Sequence, residues 1–149
     1  MNTHFQKVSE IIFENLLNKV QKFSGKSVLL TGAGGFLGSN LCSFFYYLNN
    51  LDILDKPVEL FAYDKFIHKK EDWVNQYSKS KFINFYEEDI LSIKKFPKCD
   101  YIIHAASIAS PVFYRKYPLE TIDSNVIGLR KLLDLSLEFD PEGILFFST

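Results

Sequence analysis

Two cysteines, one methionine and one tryptophan stand among 149 residues. Cys42 and Cys99 lie far apart and lack metal-ligand spacing, so neither a disulfide framework nor a zinc module is built from them, which points to a reduced, cytoplasmic protein. Charge of one sign is also missing. Seventeen Lys and Arg face eighteen Asp and Glu, for a net charge of -1, and this argues against nucleic acid or an anionic membrane as the main partner. No apolar run approaches the roughly 18 residues of a membrane span. The N-terminal MNTHFQKVSEIIFENLL carries charges inside its apolar stretch and no small-residue cleavage site, so it is not a secretory signal. His4, His68 and His104 share no ligand spacing, and no metal is expected. Repeats and low-complexity tracts are absent too. What is present is 47% hydrophobic and 23% charged residues, enough to fill the core of one ordinary domain and too apolar for disorder.

Apolar residues at Phe5, Val8, Ile12, Leu16, Val20 and Phe23 recur every three or four positions, predicting an N-terminal helix over residues 5–23. Residues 1–24 are thus expected to form a helical extension, closed by Ser24-Gly25-Lys26, ahead of a domain at 25–149. Within that domain the predicted strands are 27–30, 58–63, 81–87, 101–106 and 143–149. Between them lie a helix at 36–48, apolar nearly all round, a short one near 73–80, and a long one from Pro118 to about Phe139. The long helix has Ile122, Val126, Leu129, Leu132, Leu133 and Leu137 as its apolar face. Short, almost wholly apolar strands alternating with helices predict an α/β fold, a doubly wound parallel sheet of the Rossmann type. The sequence stops at Ile144-Leu145-Phe146-Phe147-Ser148-Thr149, inside what reads as a buried strand. The expectation is an N-terminal piece of a longer protein, with a small complete domain as the alternative.

The first predicted strand runs into Thr31-Gly32-Ala33-Gly34-Gly35-Phe36-Leu37-Gly38. Glycines at 32, 35 and 38 have the spacing that opens a helix against a pyrophosphate. Gly32 permits the tight turn, Gly35 lets the phosphates approach the backbone, and Gly38 lets the helix lie close on the strand. The helix N-terminus then offers unpaired N–H groups. A purely structural glycine turn is the alternative, and the strand–turn–helix setting disfavours it. Asp64 ends the second strand, 26 positions after Gly38. A carboxylate there accepts the hydroxyls of an adenosine ribose and repels a 2′-phosphate, favouring NAD over NADP. Lys65, Lys69 and Lys70 lie close by in sequence and blunt that preference, and a solvated turn residue is the other reading of Asp64.

TGAGGFLGS, the strand-end Asp64, Asp89-Ile90, HAAS at 104–107 and Asn125-Val126-Ile127-Gly128 together resemble the extended short-chain dehydrogenase/reductases that act on nucleotide sugars. The likeness runs in order from about Ser27 to Thr149. Within that group ASIASPVFY at 106–114, followed by Pro118 and Asn125, looks most like UDP-glucuronate decarboxylases and dTDP-glucose 4,6-dehydratases. The resemblance implies that NAD lies on Gly32, Gly35, Phe36, Leu37 and Gly38, with Asp64 and Lys65 at the ribose. It implies that Asp89 and Ile90 flank the adenine, Ala105 and Ser107 line the nicotinamide side, and Ser124 lies near the cofactor. Asn125 matches a structural Asn that helps to hold a proton relay, and Thr149 the family's catalytic hydroxyl residue. It further implies a nucleotide-sugar substrate processed through a 4-keto intermediate, as in a lyase or epimerase, and a homodimer. Asp123, where the decarboxylases carry a basic residue, and Leu129, where they carry Thr, leave the sugar open.

The family also needs a Tyr-x-x-x-Lys pair. Tyr77 and Lys81 have that spacing, yet they fall between the second and third strands, on the adenosine side, so they are not expected to be catalytic. The catalytic pair would lie beyond Thr149, which leaves enzyme activity of this chain alone undecided. A non-catalytic dinucleotide-binding module is the rival from another class. His104 and the Phe44–Tyr47 aromatic run are expected to be packing residues, and the N-terminal helix a packed extension.

Overall fold

The computed structural model describes residues 3–17, 19–66 and 72–147. Helix α1 (Thr3–Leu16) and a 3-10 turn (Val20–Phe23) lead into β1 (Ser27–Thr31), α2 (Phe36–Asn50) and β2 (Glu59–Asp64). Then follow α3 (Asp72–Tyr77), β3 (Ile83–Glu87), β4 (Tyr101–His104), α4 (Pro111–Lys116), α5 (Pro118–Phe139) and β5 (Gly143–Phe146). The strands form one sheet in the order β3-β2-β1-β4-β5, and every pairing is parallel. Leu30 lies opposite Ala62 on one side and Ile103 on the other. The chain builds outward from β1 in one direction and returns to its other side at β4. This reversal opens a crevice at the carboxyl ends of β1 and β4, where open α/β sheets bind their ligands.

Because side chains alternate along a strand, each strand feeds both faces. Val28, Leu30, Leu60, Ala62 and Ile103 point to one face, where α1, α2 and α3 add Phe5, Phe45, Leu48, Trp73 and Tyr77. Leu29, Phe61, Tyr63 and Ile102 point to the other, met by Ile90, Ile93, Phe96 and by Leu132 of α5. Helix α1 is locked onto α2 by hydroxyls as well as by carbon. The Tyr77 hydroxyl donates to Ser43 Oγ at 3.1 Å, Ser43 and Ser9 share a hydrogen bond at 3.0 Å, and Ser9 donates to the Phe5 carbonyl at 2.8 Å. Ser9, Ser43 and Tyr77 are all fully buried, so each hydroxyl needs the next.

Several elements differ from the sequence pattern. The 5–23 periodicity is split, because Phe23 turns inward to meet Phe45 and Tyr101 edge-on before Gly25 reverses the chain at φ +68°. Tertiary contact wins over period here. Strand β4 ends at His104, two residues short of 106. Ala105 still donates to the Thr31 carbonyl at 3.0 Å, after which the chain leaves the sheet. Helix α4 is additional, started by Pro111 in its first turn, the position where proline costs no hydrogen bond.

The fifth strand is corrected most. Its described part, Gly143–Phe146, pairs only with β4, and Ile144 and Leu145 are exposed rather than buried, because β5 is an edge. Helix α5 has the expected bounds but not the expected inner face. Gly128 and Leu132 are buried, with Leu135 and Phe139 packed beside them. Ile122, Val126, Leu133 and Leu137 face solvent. The helix carries two apolar stripes, and the sequence pattern merged them.

Candidate functional site

The crevice is built by the turn after β1. Gly32 sits at φ +75°, and a Cβ there would fall 2.4 Å from the Ala105 carbonyl, so only glycine fits. Its amide and that of Ala33 both donate to the Tyr63 carbonyl, at 2.9 and 3.1 Å, which ties the turn to β2. Gly38 fixes the other end, since a Cβ would lie 2.0 Å from the Gly32 carbonyl oxygen; helix α2 rests directly on the loop. Gly35 differs. It precedes the first turn of α2 in extended conformation, and a Cβ would meet only the Gly32 carbonyl oxygen, at 3.3 Å. The space above it is open, and the unpaired N–H groups of α2 begin there.

At the end of β2, Asp64 is fixed by two backbone donors: Gly34 N–H to Oδ2 at 2.9 Å and Phe66 N–H to Oδ1 at 2.7 Å. The carboxylate is thereby held against the glycine loop with lone pairs still facing the crevice. The neighbouring Lys65 ammonium sits 2.6 Å from Asp89 Oδ2. Asp89 Oδ1 accepts the Leu91 amide at 3.0 Å, and Lys131 of α5 pins the same turn by donating to the carbonyls of Ile90, Leu91 and Ile93 at 3.0, 2.8 and 2.7 Å. A lysine with three carbonyl acceptors holds the loop that carries Asp89.

On the β4 side, His104 is fully buried. The Ser124 carbonyl, 3.1 Å from Nε2, can only accept, so Nε2 carries the proton and Nδ1 accepts the Thr31 hydroxyl at 2.6 Å. Burial holds the imidazole below its ordinary pKa, outweighing the Ser124 bond, and the ring is a neutral strut between β1 and α5. Nearby, the Asn125 amide donates to Ser107 Oγ at 3.0 Å and to the Thr121 carbonyl at 2.8 Å.

Gly32, Gly35, Asp64, Lys65, Asp89, Ile90, Ala105, Ser107 and Ser124 all line one cleft. An adjoining cavity, which shares Gly35, Asp64, Lys65 and Ser107 with it and is walled by Trp73, Phe113 and Tyr117, holds about 650 Å³, within the range of small-molecule sites. Asn125 reaches this wall through Ser107. The side chains of Phe36 and Leu37 do not line it: they project outward, 80% and 45% exposed, and only their backbone belongs to the helix start. Gly38 is a packing contact. Thr149, His68, Lys69 and Lys70 lie outside the described residues. Glu88 and Glu120, which the sequence did not single out, also line the cleft; a lone carboxylate beside a strand end carries no motif. Tyr77 is buried in the core between helices, and burial raises its pKa, the opposite of what a base needs. Burial also pushes the Cys42 thiol up and the Cys99 thiol to about 11. Among the described residues no His, Cys, Asp or Glu cluster could hold a metal, and no helix is long and apolar enough to cross a membrane.

Residues 28–149 match the family model described as the NAD dependent epimerase/dehydratase family. UDP-glucose 4-epimerase of Rickettsia prowazekii (strain Madrid E) is 27% identical over 131 residues, 85% of this chain and 37% of that protein. UDP-glucuronic acid decarboxylase 6 of Arabidopsis thaliana is 28% identical over 113 residues, 76% and 31% of the two chains. Among solved structures, an epimerase from Methanothermobacter thermautotrophicus superposes with a TM-score of 0.66 at 23% identity, covering 92% of this chain and 39% of the other. UDP-glucose 4-epimerase of Stenotrophomonas maltophila, solved with NAD and formylated UDP-arabinopyranose, superposes at 0.62 and 21%, covering 83% and 37%. The chain therefore spans between 31% and 39% of the length of these relatives. With the glycine turn, the parallel sheet and the family match in agreement, the chain belongs to the NAD dependent epimerase/dehydratase family.

Proposed function

We propose that residues 25–149 are the NAD-binding part of an enzyme that modifies the sugar of a nucleotide sugar, as a 4-epimerase, decarboxylase or 4,6-dehydratase. The observation that carries the reading is the open space over Gly35 at the start of α2, with Asp64 held at the loop's far side. A pyrophosphate over Gly35 meets the N–H groups of α2, and Asp64 offers its remaining lone pairs to ribose hydroxyls. Asp89 and Ile90 serve the adenine end, and Ala105, Ser107 and Ser124 the nicotinamide end. Asn125, through its bond to Ser107, positions that wall. When bound, NAD supplies a reversible hydride acceptor for the sugar's C4. Thr149 is proposed as the catalytic hydroxyl residue.

Calorimetric titration with NAD tests the site. Gly35→Val should lose binding at least tenfold while circular dichroism stays unchanged; a folded variant with wild-type affinity would remove the phosphate cradle. One observation favours a binding module without chemistry for residues 1–149 alone. His104 has both ring nitrogens committed and Tyr77 is buried, so neither offers a free group to a sugar hydroxyl, which a base must approach to about 3 Å. Incubation with NAD and UDP-glucose or UDP-glucuronate should give no product, and turnover would point to Glu120 in the cleft wall.

The outer stripe of α5 supports the remaining proposal, a homodimer. Ile122, Val126, Leu133 and Leu137 are four, seven and four residues apart, all on the solvent side, which is the spacing of a helix-packing face. Leu137→Glu should shift the sedimentation coefficient toward the monomer. An unchanged coefficient would discard this face as the contact.

A further inference from the structure

We propose that Asp89 sets the preference for NAD over its 2′-phosphorylated counterpart by keeping Lys65 occupied. The inference rests on the dinucleotide reading of the cleft and adds a selector to it. Asp64 is the carboxylate at the ribose edge, and a cation in the next position is what a 2′-phosphate seeks. Lys65 is that cation and lines the same cleft as Asp64. Its ammonium is 2.6 Å from Asp89 Oδ2 and its side chain is 46% exposed, against 29% for Asp89. The lysine is thus reachable from the cleft but already paired.

The pairing is built rather than incidental. Asp89 cannot follow Lys65 into solvent, because its second oxygen accepts the Leu91 amide and its turn is held by Lys131. Around this corner the cleft carries Asp64, Glu88 and Asp89 against Lys65 alone among the described residues. The formal sum is three negative charges and one positive, a net of -2, which repels a phosphate dianion. Removing the Asp89 charge frees Lys65 and halves that sum. The two changes act in the same direction.

Asp89→Asn is the informative variant, since its amide oxygen still accepts the Leu91 N–H and keeps the turn. NAD and NADP are titrated calorimetrically into wild type, Asp89→Asn, Lys65→Ala and the double variant, with circular dichroism on each. The NADP-to-NAD affinity ratio should rise about tenfold in Asp89→Asn, the scale of one charge-assisted hydrogen bond. It should stay within about twofold of wild type in Lys65→Ala and in the double variant, because the gain needs the freed lysine. A ratio unmoved by Asp89→Asn, or a gain that survives loss of Lys65, overturns the proposal while leaving the cleft as an NAD site. Wild type that binds neither dinucleotide overturns both. Should Asp89→Asn misfold, Asp89→Ser with the same expectation takes its place.

Discussion

On one face of the sheet, Val28, Leu30, Leu60 and Ala62 have no more than a trace of accessible surface, and Phe45 and Leu48 above them keep 1% or less. On the other face, α5 contributes Leu132 at 0% while Ile122, Val126 and Leu137 keep 55%, 60% and 86%. Both faces are capped by apolar helices and each has a buried core, yet α5 carries a second apolar stripe that no described residue covers. Periodicity reports that a helix has an apolar side; it does not report what lies against that side. The face that carries the glycine turn and α2 is therefore closed on every apolar side, and the α5 face is the one that also shows an exposed apolar stripe.

Truncations to alanine on the two faces should give the widest split. Phe45→Ala removes a fully buried ring and should cost about 3–5 kcal/mol of unfolding free energy. Leu137→Ala on the outer stripe should stay within about 0.5 kcal/mol at protein concentrations low enough to keep the chain monomeric. Urea denaturation of both variants measures the difference, and comparable losses would mean that the outer stripe is buried in solution. Ser43→Ala comes next. It leaves the Tyr77 hydroxyl buried without its acceptor, at about 1–3 kcal/mol, and Ser43→Ala/Tyr77→Phe should recover part of that loss. No recovery would break the chain of hydroxyls that holds α1 to α2.

Lys131→Met, on the α5 face, should cost less, about 1 kcal/mol, because its three part-buried carbonyl partners lie where water can replace the ammonium. Its signature is local: faster hydrogen exchange at Leu91 and Ser92, with the β1 amides unchanged. Uniform acceleration would make Lys131 a global rather than a loop contact.

Much of this was legible in the sequence, for identifiable reasons. The glycine turn, Asp64 and the bounds of α5 were readable because each is a local demand: a φ of +75° at Gly32, a strand end, a proline at a helix start. Residues that act across the fold left no such trace. Lys131 reaches the Asp89 turn from about forty positions away, and a lysine in a helix has no reason to look like a loop clamp. The Lys65–Asp89 pair was equally hidden, since Lys65 alone argued for tolerance of a 2′-phosphate. The exposed stripe of α5 misled the reading of its core face for the opposite reason: two apolar stripes on one helix add into a single pattern. Phe36 and Leu37 were carried by the motif's shape, although only their backbone joins the helix start.

The smallest effect near neutrality belongs to His104, the polar strut on the open face. Burial holds its pKa below 6.5, outweighing the Ser124 bond, so the unfolded chain takes up a proton at a pH where the folded chain does not. Stability then rises with pH wherever the unfolded state binds more protons. The contribution is flat above about 6.5, where both states are neutral, and is lost progressively as pH falls from there toward the folded-state value. Carboxylates act in a separate, more acidic window. Burial pushes Asp100 up, but its bonds from Ser27 and the charge of Lys26 outweigh this and leave it low; Lys26 and Tyr101 hold Glu142 low. These lose their contribution only as pH falls below the usual carboxylate range. His104→Asn should therefore be less stable at pH 7.5 yet lose less than wild type between about pH 6.5 and 5.5. Urea midpoints across that interval measure it. Parallel slopes for the two proteins would show that the strut opens before it protonates, making the junction between β4 and α5 as yielding as the outer stripe beyond it.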